Sequence, residues 1–171
     1  MPSSRSGLPG FLHIATGDGA LPVAIAWSLK DGRIKHTLIQ PLESWLEEED
    51  IGLEGFDESN LYGMGVSPLD VIRELEMDHD SETLYVTGTS DEEGALERIY
   101  TEYGLNPVVE LANAWQLYTQ LDREQWEEER RELFEERGLS PMHPEHEVEA
   151  MLFLHQRFAD EWPEDAPPRE Q

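Results

Sequence analysis

Phe11-Leu12-His13-Ile14-Ala15-Thr16-Gly17, followed by Val23-Ala24-Ile25-Ala26-Trp27-Ser28-Leu29, is the stretch that sets the fold. Gly10 to Ala15 reads as a strand. Val23 to Leu29 is nearly continuous in its apolar character, as a central strand buried on both faces would be. Asp31-Gly32 is a strong two-residue turn signal. Arg33-Ile34-Lys35-His36-Thr37-Leu38-Ile39 then alternates more strictly and belongs nearer a sheet edge. The three runs together predict a β-meander.

Working outward, Pro41 to Gly65 is loop-like and acidic, with one short helical possibility at Ser44 to Glu49. Ser67 caps a helix whose first position is Pro68 and whose buried stripe is Val71, Ile72 and Leu75. Leu84-Tyr85-Val86-Thr87-Gly88 predicts a short fourth strand. Ser90 or Asp91 then caps a helix to Tyr103, stopped by Gly104 in a left-handed conformation. Pro107 to Leu111 supplies a fifth strand. Helices follow over Ala112 to Gln120, Arg123 to Arg137 and Pro144 to Phe158. The middle one carries only a thin apolar stripe (Trp126, Leu133, Phe134), which marks a surface helix. Strands and helices in this order give an α/β protein with an antiparallel half.

The 171 residues suit one domain with a substantial core. Its bounds are placed at 9–160, between a disordered tail over 1–8 and an acidic, Pro-rich disordered tail over 161–171. No run is apolar enough to span a membrane, and Met1 to Gly7 offers no signal-peptide core, so a cytoplasmic location is expected. The absence of cysteine excludes disulfides, thiolate zinc sites and thiol nucleophiles. Asp plus Glu number 38 against 12 Lys plus Arg, a formal net charge of -26. Such a field repels phosphate backbones, so weak or no nucleic-acid binding is expected at low salt. Two origins fit the charge: an organism with a saline cytoplasm, or an acidic face that docks a basic protein partner.

The element order and the wording inside the segments resemble the DEDDh family of 3′–5′ exonucleases, within the ribonuclease H-like superfamily. The resemblance covers most of residues 10 to 158. Strand one of that family carries Asp-x-Glu before Ser-Gly or Thr-Gly, matched here by His13-Ile14-Ala15-Thr16-Gly17. Pro22 to Trp27, Asp31-Gly32 and Leu38-Ile39-Gln40-Pro41 resemble the hairpin that follows. Leu61-Tyr62-Gly63-Met64 resembles a His-Gly-Ile segment, and Val66-Ser67-Pro68 the element after it. The family's next metal-binding Asp falls in Gly88-Thr89-Ser90-Asp91-Glu92-Glu93-Gly94, where Glu93 or Asp91 can take its place. The last motif, His followed five positions later by Asp, is matched by His143 and then by Val148. Glu149 is one step off register, rotated about 100° around the helix.

The resemblance therefore implies a ribonuclease H-like mixed sheet flanked by helices, whose family-equivalent positions are His13, Ala15, Glu93, His143 and Val148. Two-metal hydrolysis needs several carboxylate oxygens converging on two divalent ions about 3.5–4 Å apart, and Mg²⁺ demands hard oxygen ligands. Ala15 and Val148 supply none, and His13 brings an imidazole without negative charge. The expectation is an exonuclease-like domain that has lost this chemistry and acts as a non-catalytic binding or regulatory protein, with no cofactor.

An alternative is an active exonuclease using Mg²⁺ or Mn²⁺ at a rearranged site drawn from Asp18, Asp91, Glu93, His143 and Glu149; of these, Asp91, Glu93 and Glu149 are the candidate metal ligands. A third possibility is an acidic protein–protein module. Each residue also has a plainer role. His13 can be a half-buried histidine with a satisfied hydrogen bond, and His143, before Pro144, a helix-start residue. Asp91, Glu92 and Glu93 can serve capping and the helix dipole. His143, His146, Glu147 and Glu149 can form an opportunistic metal cluster. Trp27, Trp115 and Trp126 read as core or rim packing.

Overall fold

In a computed structural model, which describes residues 8–16, 22–42, 63–79, 83–88, 91–141 and 143–160, the three apolar runs form the expected meander. Strand β1 spans Gly10–Thr16, β2 Pro22–Ser28 and β3 Ile34–Leu38, each antiparallel to the next. At the turn, Gly32 N–H donates to the Leu29 carbonyl (2.9 Å) with Gly32 at φ 91°, a conformation that only glycine takes without strain. Every residue of β2 is buried, as its unbroken apolar run demanded.

Helix α1 (Pro68–His79) starts where Ser67 Oγ accepts the Asp70 N–H at 3.2 Å, and it buries Val71, Ile72 and Leu75. Strand β4 (Thr83–Val86) follows. Asp91 accepts the Gly94 N–H at the start of α2 (Glu92–Glu102), and Gly104 lies beyond its end at φ 66°. Strand β5 (Glu110–Asn113) and helices α3 (Arg123–Arg137) and α4 (Pro144–Asp160) complete the order. The sheet runs β3-β2-β1-β4-β5, with β1, β4 and β5 mutually parallel. Gly10 allows the join between its two halves: a Cβ there would lie 2.5 Å from Leu84 Cδ2 and 2.8 Å from His79 Cε1.

Helices cover both faces. Leu12, Ile14, Ile25 and Trp27 pack against Val71, Ile72 and Leu75 of α1 and Ala95, Leu96 and Ile99 of α2. Phe11 and Ala26 pack on the other side with Trp126 and Phe134 of α3 and Val148, Met151 and Leu154 of α4. Because side chains alternate along a strand, His13 and Ala15 share the Phe11 face, beneath α4.

Two expectations are corrected. The fifth strand is not Pro107 to Leu111 but lies further along, because its ladder begins at Thr83↔Glu110; Val109 is apolar because it enters the α1/α2-side core, not because it pairs. The helix expected over Ala112 to Gln120 shrinks to one 3-10 turn, Ala114–Leu117. Ala112 and Asn113 belong to β5, and Asn113 and Tyr118 on either side of the turn are extended. That single turn brings Ala114 and its neighbours Trp115 and Leu117 onto the α3/α4-side core, so no longer helix is needed. Residues 1–7, 17–21, 43–62, 80–82, 89–90, 142 and 161–171 lie outside the described residues, and with them Asp18, the Ser44 to Glu49 segment, the Ser90 cap and most of both tails. Among the described residues, no helix is long and apolar enough to cross a membrane.

Candidate functional site

The end of β1 and the start of α2 meet at one buried contact. His13 is fully buried, not half-buried as its sequence context suggested, and Glu92 is 2% exposed. His13 Nδ1 lies 3.0 Å from Glu92 Oε2. The distance is that of an ion pair, but the groups are not aligned as a hydrogen bond: both ring nitrogens of His13 and Oε2 of Glu92 have no aligned partner. Ladder pairing between β1 and β4 is confined to Gly10↔Leu84 and Phe11↔Tyr85, and Glu92, from the first turn of the helix after β4, reaches His13 beyond those pairs.

Glu92 is the acid that sequence reasoning passed over in favour of Asp91 and Glu93. Its signal was present: Glu92, Ala95, Leu96, Ile99 and Tyr100 form one buried stripe at helical spacing. Asp91 is exposed, with its carboxylate engaged as a helix cap: Oδ1 accepts the Gly94 N–H at 3.0 Å. Glu93 is exposed and borders a depression of about 350 Å³ with Gly88, Asp91, Glu92, Asn113 and Gln116.

The remaining family-equivalent positions do not gather at His13 as ligands. Ala15 is 3% exposed and packs with Val23 and Ala24. Val148 is fully buried in the core under α4. Cross-strand register places His13, Ala26 and His36 in one row on the α4 side of the sheet, so His36 stands about 10 Å from His13, two strand spacings away. His143 stacks on His36, ring centroids 5.5 Å apart, and on His146 at 4.3 Å. It therefore sits over the β3 edge. Its carbonyl accepts the Glu147 N–H, which begins α4. His146 Nδ1 accepts the Ser140 N–H at 2.9 Å.

These three imidazoles face one another and do not point at a common centre. Glu149 borders a different hollow, with Leu8, Asp31, Gly32 and Phe153 beside the β2–β3 turn. Glu147 is fully buried and belongs to Arg130 of α3, whose guanidinium donates to both of its oxygens at 2.6 Å. Trp27 and Trp126 are core residues; Trp27 Nε1 donates to Asp78.

The donor set does not fit the pair of divalent ions that the resemblance in sequence implies. Of the four positions that would supply carboxylates, one is an imidazole and two are apolar; the fourth offers Glu93, exposed, or Asp91, engaged as a helix cap, while the neighbouring Glu92 is buried against His13. Among the described residues, no group of three or more potential ligands is arranged to hold a metal.

An antiparallel meander extended by a parallel β1-β4-β5 half, with helices on both faces, is a mixed α/β sheet. No protein-family profile matches the chain, and no curated protein sequence does. Among solved structures it is similar to the Mopeia virus exonuclease domain partially complexed with manganese, at 15% identity and a TM-score of 0.49, covering 97% of this chain and 91% of that one. At that level of similarity no residue's role transfers.

Proposed function

We propose that the protein is an exonuclease-like domain that does not perform two-metal hydrolysis and works as a non-catalytic binding or regulatory domain. The observation that carries this reading is the sealed His13–Glu92 contact. Where a nuclease of this fold would open a water-filled, carboxylate-lined cleft, this chain packs an imidazole and a carboxylate together without solvent. Ala15 and Val148, both buried and apolar, supply no oxygen donor.

Of the alternative rearranged site, Asp91 and Glu93 border one depression, while His143 and Glu149 lie elsewhere and Asp18 is outside the described residues. Asp91 caps a helix, Glu93 lies on an exposed face, His143 sits over β3, and Glu149 borders the β2–β3 turn. Charge bears on the kind of partner. A net charge of -26 disfavours polyanions and favours a basic protein surface.

Labelled single-stranded DNA and RNA incubated with the purified chain and Mg²⁺ or Mn²⁺ should remain intact at the level of the buffer blank. Turnover that vanishes in Glu92→Gln or Glu93→Ala, prepared in parallel, would refute the proposal.

A further inference from the structure

Glu92 poses a physical problem that the fold must solve. A carboxylate taken fully out of water is strongly unfavourable unless an opposite charge or several donors stand beside it. In the usual chemistry of acid-lined clefts the opposite charge is a bound cation. Here the contact recorded for Glu92 Oε2 is the His13 ring nitrogen at 3.0 Å, and neither atom has an aligned hydrogen-bond partner. The ring therefore occupies the place beside the carboxylate that a cation would take, without the directionality of a hydrogen bond. Glu92 belongs to the first turn of α2, and His13 to β1 just past the ladder pairs with β4. The contact thus ties the helix start to β1 where strand pairing no longer does.

We propose that His13 is a built-in replacement for a metal ion: its imidazole fills, beside the buried Glu92 carboxylate, the position that a divalent cation would fill. It makes this junction independent of metal. His13 is on this view a positioning residue, and the proposal rests on the non-catalytic reading above. It predicts a latent cation site. Replacing the imidazole by a carboxylate should set two acids against each other and create a demand for a divalent ion.

The test is thermal unfolding of the full chain, in EDTA and in millimolar Mn²⁺, on a constant high KCl background so that general screening of the acidic surface cancels. The wild-type Tm should be the same in both. His13→Asp should unfold lower in EDTA by on the order of 10 °C and recover most of that in Mn²⁺. His13→Gln should fall without recovery. Failure of His13→Asp to fold in EDTA with folding restored by Mn²⁺ also supports the proposal; failure in both media, or a Tm indifferent to Mn²⁺, overturns it.

The wild-type arm is decisive even without that variant. A Mn²⁺ stabilisation of the wild type that disappears in Glu92→Gln means that the site binds metal as it stands, and the proposal fails. Because unfolding and not cleavage is read, a nuclease activity found separately would refute the functional reading without deciding this one.

Discussion

Arg130 reaches across from α3 to Glu147 of α4 with Nε at 3.1 Å and Nη2 at 2.6 Å, and its guanidinium also lies 4.6 Å from the centre of the Phe134 ring. The Glu147 side chain is wholly buried and that of Arg130 is 14% exposed, so removing Arg130 takes a bidentate cation from a buried carboxylate. Arg130→Met is expected to lower stability by about 3 kcal/mol. Arg123→Ala, which breaks the exposed Arg123–Glu127 pair on the same helix, should cost about 0.5 kcal/mol or less. Arg130→Met/Glu147→Leu should regain much of the loss. Urea unfolding of the variants checks this, and equal costs for the two single arginine changes would contradict it.

His36 makes a second residue-scale prediction. Burial lowers its affinity for a proton, the neighbouring His143 and His146 act the same way, and Glu145 opposes them. A histidine whose folded value is depressed binds fewer protons folded than unfolded. The stability it confers is complete above its ordinary value of 6.5 and is lost as pH falls below that value towards the folded one. The stability of His36→Gln should therefore decline less steeply than that of the wild type as the medium is acidified below neutrality. Parallel slopes would remove the stack from the pH response.

At the scale of elements, α3 depends most on its ends, since it buries only Trp126, Leu133 and Phe134. Asp122 accepts the Gln125 N–H at 2.8 Å while Gln125 Oε1 accepts the Asp122 N–H at 3.0 Å, and Gly138 closes the other end at φ 67°. Asp122→Ala should cost about 1 kcal/mol; an unchanged urea midpoint would mean that packing alone sustains the helix.

The same contrast explains what was legible in the sequence. The meander, α1 and α2 announce themselves through signals that act within a few residues: apolar runs, a glycine turn, Ser67 with Pro68, and Asp91. β5 and the 3-10 turn after it do not, because their bounds depend on where Thr83↔Glu110 pairing starts and on a core assembled from distant helices. Glu92 is the intermediate case. Its place in the helical stripe is visible in the sequence, but three acids in a row at a helix start already have a sufficient explanation in capping and the dipole. Only the approach of β1 singles out the middle one.

For the whole molecule the governing quantity is charge. With 38 acids and 12 Lys plus Arg, most carboxylates can have no cationic partner of their own. Among the described residues, Lys35 is shared, 2.8 Å from Glu74 and 2.9 Å from Asp78, and Arg157 pairs with Glu129. Folding gathers these charges into a smaller volume, so self-repulsion opposes the native state and salt should relieve it. Screening lengths of about 8 Å at physiological ionic strength and about 3 Å at 1 M separate the two origins of the acidity. If acids are spread over the surface as an adaptation to a saline interior, neighbouring carboxylates still repel at 8 Å screening, and the urea midpoint should continue to rise into molar KCl. If the charge is concentrated on one face that awaits a basic partner, most of the relief should be complete near physiological salt, and a polycation such as polylysine should stabilise the protein there more than KCl at matched ionic strength. A midpoint indifferent to KCl throughout would contradict both, because it would mean that the folded state does not experience the repulsion its composition implies.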